Sequence, residues 1–310
     1  MDVAAASGAD LRTEFSVDEL IFESDVVCGI RGRQKGGSPV VEKARLVIGA
    51  DGMHSTVAKA VRAAEYDAKP PIEGPYFSYW SGVQVNGFEF HPGLYRGAFG
   101  WMTNDGLALI GVGFAAKDHP AVRADIEGNN LRAIAEDVPG LAERMESGRR
   151  EDRFVGGLVP NYFRKPFGPG WALVGDAGYL RDPCTAEGIT DAFHSAELPA
   201  EAINSGLSGR QPLNQALAAY EQERNKNTFP LFEFTCQLAT LGPPLRKCSN
   251  CSQLCTETRS KRTVSLASLR KRFRSPSSLQ PKTCRRFLDR IIPKASEHLL
   301  CHKILNQRYR

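Results

Sequence analysis

Residues 44–57 read ARLVIGADGMHSTV, and residues 170–191 read GWALVGDAGYLRDPCTAEGITD. Each stretch begins with a short apolar run, breaks at a Gly/Asp turn and opens into a helical pattern. In the first, the run Arg45–Ala50 ends at Asp51-Gly52, and Ser55 is placed to cap a helix. Val57, Ala60, Val61 and Ala64 then recur at i, i+3, i+4 and i+7, the spacing of one helical face. In the second, Trp171–Val174 runs into Gly175-Asp176-Ala177. Ile189, Ala192, Phe193, Ala196, Ala200 and Ile203 mark the helix that follows. Such junctions put backbone N–H groups and one carboxylate at the carboxyl end of a strand, where α/β sheets hold ribose and phosphate. The loop Asp182–Ile189 precedes the second helix, so the free N–H groups and positive dipole end of that helix point at a bound ligand.

Working outward, Leu11–Val47 reads as strand, strand, hairpin, strand. The basic, glycine-rich stretch Gly29–Gly37 is the expected hairpin turn between strands Asp25–Ile30 and Val40–Val47. Val3–Ala6 followed by Gly8 reads as the last turn and stop of a helix. After the break at Pro70-Pro71, Tyr76–Ala115 alternates aromatic and small residues, with turns at Asn86-Gly87 and Asn104-Asp105-Gly106. That pattern predicts an antiparallel sheet. Asp118–Arg150 reads as two or three short helices. Pro212–Asn225 reads as another, with an apolar stripe at Leu213, Ala216, Leu217 and Tyr220. Pro199 falls inside the helix after the second junction. There a lost hydrogen bond and a clash with the Ser195 carbonyl cost about 3 kcal/mol unless a kink absorbs them.

The two junctions stand in this order about 120 residues apart, with a strand-rich segment between them. Together they resemble the two inner motifs of the FAD-dependent aromatic hydroxylases, a family that includes geranylgeranyl-reductase-like flavoproteins. The resemblance covers Ala4 to Pro244. It implies an α/β, FAD-binding two-domain fold, in which a mixed sheet with helices is joined to an antiparallel sheet that floors the substrate pocket. It assigns Asp51 and Gly52 to the FAD pyrophosphate or to the passage of a nicotinamide donor. Gly175, Asp176 and Ala177 fall to the ribitol and ribose region. Pro183, Ala186, Glu187, Gly188 and Ile189 fall beside the flavin ring, where helix N–H groups stabilise negative charge on the reduced cofactor. A carboxylate at Glu187 would oppose that charge unless it points away. Reductases of the family often carry Glu at the matching place, and hydroxylase-like relatives a neutral residue.

The implied activity is FAD-dependent oxidation or reduction of an aromatic or polyprenyl-like small molecule, with NADPH or NADH as electron donor. No side chain is singled out as catalytic acid or base. The family's opening G-x-G-x-x-G turn is not found in these 310 residues. The chain therefore reads as an N-terminally truncated member, lacking roughly the first 100 residues. Residues 1–69 and 156–244 read as two parts of an FAD-binding domain, 70–155 as a substrate domain, and 245–310 as a basic tail. A reading from a different class is a non-catalytic remnant with a nucleic-acid-binding tail.

Charge separates the tail from the body. Residues 245–310 hold 17 Lys/Arg against 3 Asp/Glu, a net of +14, whereas the other 244 residues hold 23 against 32, a net of −9. Five of the eight cysteines lie in the tail: Cys248, Cys251, Cys255, Cys284 and Cys301. The Cys248-x2-Cys251 pair lacks the well-spaced second couple of a structural zinc site, so no metal is expected. High charge with few apolar residues predicts a solvated, disordered tail, and few aromatics interleave its charges, so nucleic acid is not expected as a partner. Arg164-Lys165 is expected to be a solvated pair. His54, His91, His119 and His194 are expected in surface or helix-face roles. No apolar run reaches the ~20 residues of a membrane span and no signal peptide is evident, which makes a cytoplasmic location the expectation.

Overall fold

The computed structural model describes residues 2–93 and 96–242 and the backbone pair Val264–Ser265. The five tail cysteines lie outside the described residues. The chain divides into two units, one of residues 1–72 and 159–229 and the other of residues 73–158 and 230–310.

In the first unit, helix α1 (Asp2–Ala6) stops before Gly8, whose φ is +90°. Strands β1 (Phe15–Glu23), β2 (Val26–Gln34) and β3 (Pro39–Lys43) form an antiparallel sheet. Here the structure corrects the expected turn. Gly29 and Gly32 are strand residues, and the turn shrinks to residues 35–38. A Cβ at Gly29 would lie 2.3 Å from the Glu42 carbonyl oxygen, and one at Gly32 2.4 Å from that of Ser16. These glycines therefore serve close strand approach rather than a turn.

Strand β4 (Val47–Gly49) leads to α2 (Thr56–Ala60), where the Ser55 hydroxyl accepts the Ala58 N–H at 2.9 Å as expected. This helix is shorter than its apolar spacing predicts. It closes at Val61, and Arg62 takes φ +51°, leaving Ala60 and Ala64 exposed. Strand β5 (Glu65–Lys69) follows.

The second unit opens with β6 (Glu73–Ser81), β7 (Phe88–Pro92), β8 (Arg96–Met102) and β9 (Ala108–Ala115). Next come helices α3 (His119–Ala124), α4 (Ile126–Asp137) and α5 (Pro139–Glu146), then the short strands β10 (Arg149–Arg150) and β11 (Val155–Gly156). The strands pair antiparallel in the order β10-β6-β9-β8-β7, and β11 adds to β6. Trp80, Ile110 and Val112 of the sheet share one core with Ile134 and Leu141 of the helices. The expected antiparallel sheet is present, and the two or three short helices expected after it number three. His119 opens helix α3 and is buried at 3% exposure, whereas His91 departs from the surface or helix-face role expected, being buried in strand β7 at 4%. His119 Nε2 lies 3.0 Å from the Gly74 carbonyl oxygen, and His91 Nε2 lies 3.2 Å from Glu89. Glu89 also takes two bonds from Arg144 and one from the Asn86 N–H. The Arg144 bonds above all, against the cost of burial, hold its carboxyl down at about 2.

The chain returns to the first unit through β12 (Asn161–Arg164), β13 (Phe167–Gly168), β14 (Trp171–Leu173) and β15 (Tyr179–Leu180). Strand β12 pairs with β15 and β5. Strand β14 runs parallel to β4, with Trp171 opposite Val47 and Leu173 opposite Gly49. Leu20, Val27, Val57, Trp171 and Leu173 form this unit's core.

Two long helices follow, α6 (Gly188–Leu207) and α7 (Leu213–Ala239). Helix α7 buries the expected Ala216, Leu217 and Tyr220 but continues well past Asn225 and through Pro230. Helix α6 runs unbroken through Pro199. Of the apolar residues that mark this helix, Ile189 and Phe193 are 76% and 73% exposed, while Ser195 and Pro199 are buried. Outside these units' main elements, β16 (Val264–Ser265) pairs with β7. Among the described residues no helix is long and apolar enough to cross a membrane.

Candidate functional site

The parallel pairing of β4 and β14 brings the two Gly/Asp turns side by side. The Val174 N–H donates to the Gly49 carbonyl at 2.9 Å, one residue before the second turn. Gly49 has no room for a side chain, since a Cβ would meet both Leu173 and Val57 at 2.8 Å. The Tyr162 hydroxyl reaches both turns, 2.8 Å from the Asp176 carbonyl oxygen and 3.3 Å from that of Met53. The two junctions read from the sequence thus lie side by side at the carboxyl ends of adjacent parallel strands.

The two aspartates differ in what they do. Asp51 Oδ2 accepts the N–H groups of Thr56 at 2.7 Å and Val57 at 3.2 Å, so it caps α2 together with Ser55. Gly52, at φ +74°, lets the chain turn back toward that helix. Asp176 lies in a single 3₁₀ turn, Gly175–Ala177, that Gly175 enters at φ +57°. Its carboxylate is half-buried and takes no hydrogen bond from any described residue. Burial, with a smaller contribution from the nearby Asp191, pushes its pKa up. A carboxylate in this state gains from any hydroxyl donors a ligand brings.

Other side chains fix the second turn. The Gly175 N–H donates to Ser195 Oγ at 2.6 Å, and Ser195 in turn donates to the Ala192 carbonyl. The Ala177 carbonyl accepts from Arg164 Nη1 at 3.3 Å. The Gly178 carbonyl accepts from Arg224 Nη1 at 3.4 Å. Arg164 is therefore not the solvated residue expected: its side chain is 11% exposed, stacks 4.2 Å over the Tyr162 ring and pairs with Glu65. Lys165 pairs with Glu221.

The loop before α6 is equally well fixed. Asp182 is 1% exposed; its N–H donates to Asn161 Oδ1 at 2.7 Å, and its carboxylate accepts from the Cys184 N–H at 3.0 Å. Pro183–Thr185 form a 3₁₀ turn, Ala186 takes the left-handed conformation at φ +54°, and Gly188 begins α6. Thr185 Oγ1 is buried with no hydrogen-bond partner among the described residues. Glu187 is turned toward Arg181, with Oε2 3.6 Å from Nη2, and Arg181 also donates to Asp191 at 2.7 Å. The Glu187 carboxylate thus lies against a buried cation that it shares with Asp191, which lessens its conflict with negative charge beyond the helix N-terminus without cancelling it.

Sequence reading missed Tyr162, Arg181, Ser195 and Arg224. Arg224 carried a signal, because it continues the stripe of Leu217 and Tyr220 and so sets a cation on an apolar face. Ser195 carried none, lying on the face of α6 that the apolar pattern turned outward.

No family model matches the chain. By sequence it is 27% identical over 228 residues to a digeranylgeranylglycerophospholipid reductase of Methanocella arvoryzae, covering 71% of this chain and 56% of the relative. The enzyme of the same name from Thermoplasma volcanium is 28% identical over 230 residues, covering 71% and 56%. The chain thus spans about half the length of the curated relatives it matches. By structure it matches the myxobacterial chondrochloren halogenase CndH, an FAD-dependent halogenase, at TM-score 0.68 and 19% identity over 84% of this chain and 64% of that one. It also matches CabE, an aromatic hydroxylase from angucycline biosynthesis, at TM-score 0.58 and 21% identity over 77% and 47%. The chain is similar in sequence to digeranylgeranylglycerophospholipid reductases, and it shares its α/β fold with the FAD-dependent halogenase CndH and the aromatic hydroxylase CabE.

Proposed function

We propose that this chain carries the ribityl- and ring-side half of an FAD site in an oxidoreductase acting on a polyprenyl or aromatic small molecule, with NADPH or NADH as electron donor. The observation that carries the reading is the Asp176 carboxylate: half-buried, raised in pKa, without a donor among the described residues, and standing where two parallel strands end. Ribityl and ribose hydroxyls are the donors it suits. Asp51, Gly52, Gly175 and Ala177 complete the turns on either side. Pro183, Ala186, Glu187, Gly188 and Ile189 form the loop and helix start that face the ring, and the buried Thr185 hydroxyl offers a further polar contact. Bound FAD would supply the redox chemistry, while these residues orient it and screen its charge. The sequence relatives favour reduction of a polyprenyl chain over hydroxylation of an aromatic ring. In this reading residues 70–155 are the substrate domain.

These 310 residues lack the glycine-rich turn that would grip the pyrophosphate, so FAD binding by this chain alone is expected in the high micromolar to millimolar range. Ligand-observed NMR on the purified chain tests the reading. Saturable FAD binding that Asp176→Ala weakens supports it. No binding up to the solubility of FAD, or identical binding by wild type and Asp176→Ala, rejects it in favour of a non-catalytic remnant.

A further inference from the structure

Three successive carbonyls of the second turn are each held by a side chain. Asp176 O accepts from the Tyr162 hydroxyl, Ala177 O from Arg164 Nη1, and Gly178 O from Arg224 Nη1. The donors come from two elements, β12 and α7. On the other side of the turn, the Gly175 N–H is held by Ser195 of α6.

Arg224 is the unusual member. It is 1% exposed, among the largest fully buried side chains of the molecule, and its bonded partners are all neutral acceptors. Besides Gly178 they are the Tyr66 hydroxyl at 2.6 Å, the Arg164 carbonyl at 3.2 Å and Asn225 Oδ1 at 2.9 Å. Burying a guanidinium without a carboxylate is costly, and it is tolerated where several good acceptors surround it. Tyr162 is equally committed to donation, because burial pushes its hydroxyl pKa up to about 12 and keeps it protonated. These bonds resist rotation of the peptide planes of the turn, and with it movement of the Cα–Cβ bond from which the Asp176 carboxylate projects.

We propose that Tyr162, Arg164 and Arg224 are positioning residues: three donors that lock the carbonyls of residues 176–178 and so hold the Asp176 carboxylate in place before any ligand arrives. The proposal rests on the reading of Asp176 as a ligand acceptor. It adds that the acceptor is preorganised from behind by two arginines and a tyrosine that never touch the ligand. Preorganisation lowers the ordering cost of binding, so loosening the clamp weakens the ligand without removing any contact to it.

The test uses Tyr162→Phe and Arg164→Lys, which keep the ring or the charge and spare the fully buried Arg224. Hydrogen exchange by mass spectrometry on the unliganded full chain reads the peptide covering residues 173–180, and thermal melting reads the whole fold. The expected result is exchange about tenfold faster in that peptide, with exchange in β9 and the melting temperature unchanged, and FAD binding weakened about five- to tenfold. Unchanged exchange in both variants overturns the proposal, because the turn then holds itself. Faster exchange with unaltered FAD affinity, where Asp176→Ala does lower it, overturns the positioning role. Failure of wild type to bind FAD sinks the reading of the site instead, and the exchange result alone then decides whether the clamp exists.

Discussion

The two Gly/Asp turns look alike in sequence and differ in use. After Asp51 the chain needs only four residues to begin α2, so the unsatisfied N–H groups of Thr56 and Val57 lie within reach and take the carboxylate. After Asp176 the chain passes through β15 and a second 3₁₀ turn before α6 starts at Gly188. No helix N–H among the described residues donates to that carboxylate. The shorter connection after Asp51 thus lets its carboxylate cap the next helix, whereas that of Asp176 takes no bond from a described residue.

The largest expected effect breaks the seam between the turns. Gly49→Ala places a methyl 2.8 Å from both Leu173 and Val57, and overpacking there is expected to cost about 3 kcal/mol. Gly175→Ala is the matched control. Its Cβ meets nothing nearer than Ala192 at 3.7 Å, so only the left-handed φ opposes it, at about 1–2 kcal/mol. Denaturant melts of the two variants should separate them; equal losses would mean that the seam has slack.

Next in size is the contrast between the aspartates themselves. Asp176→Ala is expected to weaken FAD binding by about 2 kcal/mol, the loss of a charged acceptor, and to leave stability intact. Asp51→Ala should do the reverse, costing about 1 kcal/mol of stability through the lost cap. If both variants lose stability and neither loses affinity, both turns are only turns.

The smallest effect concerns pH. The folded-state pKa of Asp176 lies above its unfolded value because of burial. Its ionisation therefore opposes folding once the pH exceeds the unfolded value, and fully so above the folded one. Asp176→Asn should accordingly raise the melting temperature at pH 7 by about 1–2 °C. The gain should fade as the pH drops toward the ordinary aspartate pKa of about 4. A gain independent of pH would assign the effect to something other than charge.

Much of the fold was legible because its signals are local. The Ser55 cap, the hairpin of β2 and β3, the strand-rich segment from Tyr76 to Ala115 and the buried stripe of α7 all follow from short-range periodicity and turn chemistry. The site was legible only in part. Its two turns could be read, yet the residues that fix them reach across long stretches of sequence, as Tyr162 does to Met53 and Arg224 to Tyr66. Which face of α6 is buried was not legible for a related reason. Periodicity assumes that the most apolar stripe turns inward, but the bond from Gly175 to Ser195 sets the opposite face against the turn.

The parallel pairing of β4 with β14 also carries a kinetic consequence. It joins segments about 120 residues apart, which makes it a slow contact to find from an unfolded chain. The intervening residues contain their own closure, since β11 pairs with the start of β6 and the Gly157 N–H donates to the Pro75 carbonyl. Once that closure has formed, the loop left to close falls to about 40 residues, lowering its entropic cost by about 1 kcal/mol. Early closure of β11 on β6 thereby shortens the search that brings β4 and β14 together. Substitutions that delay β6–β11 pairing should slow the appearance of the site even where they leave the finished molecule unchanged.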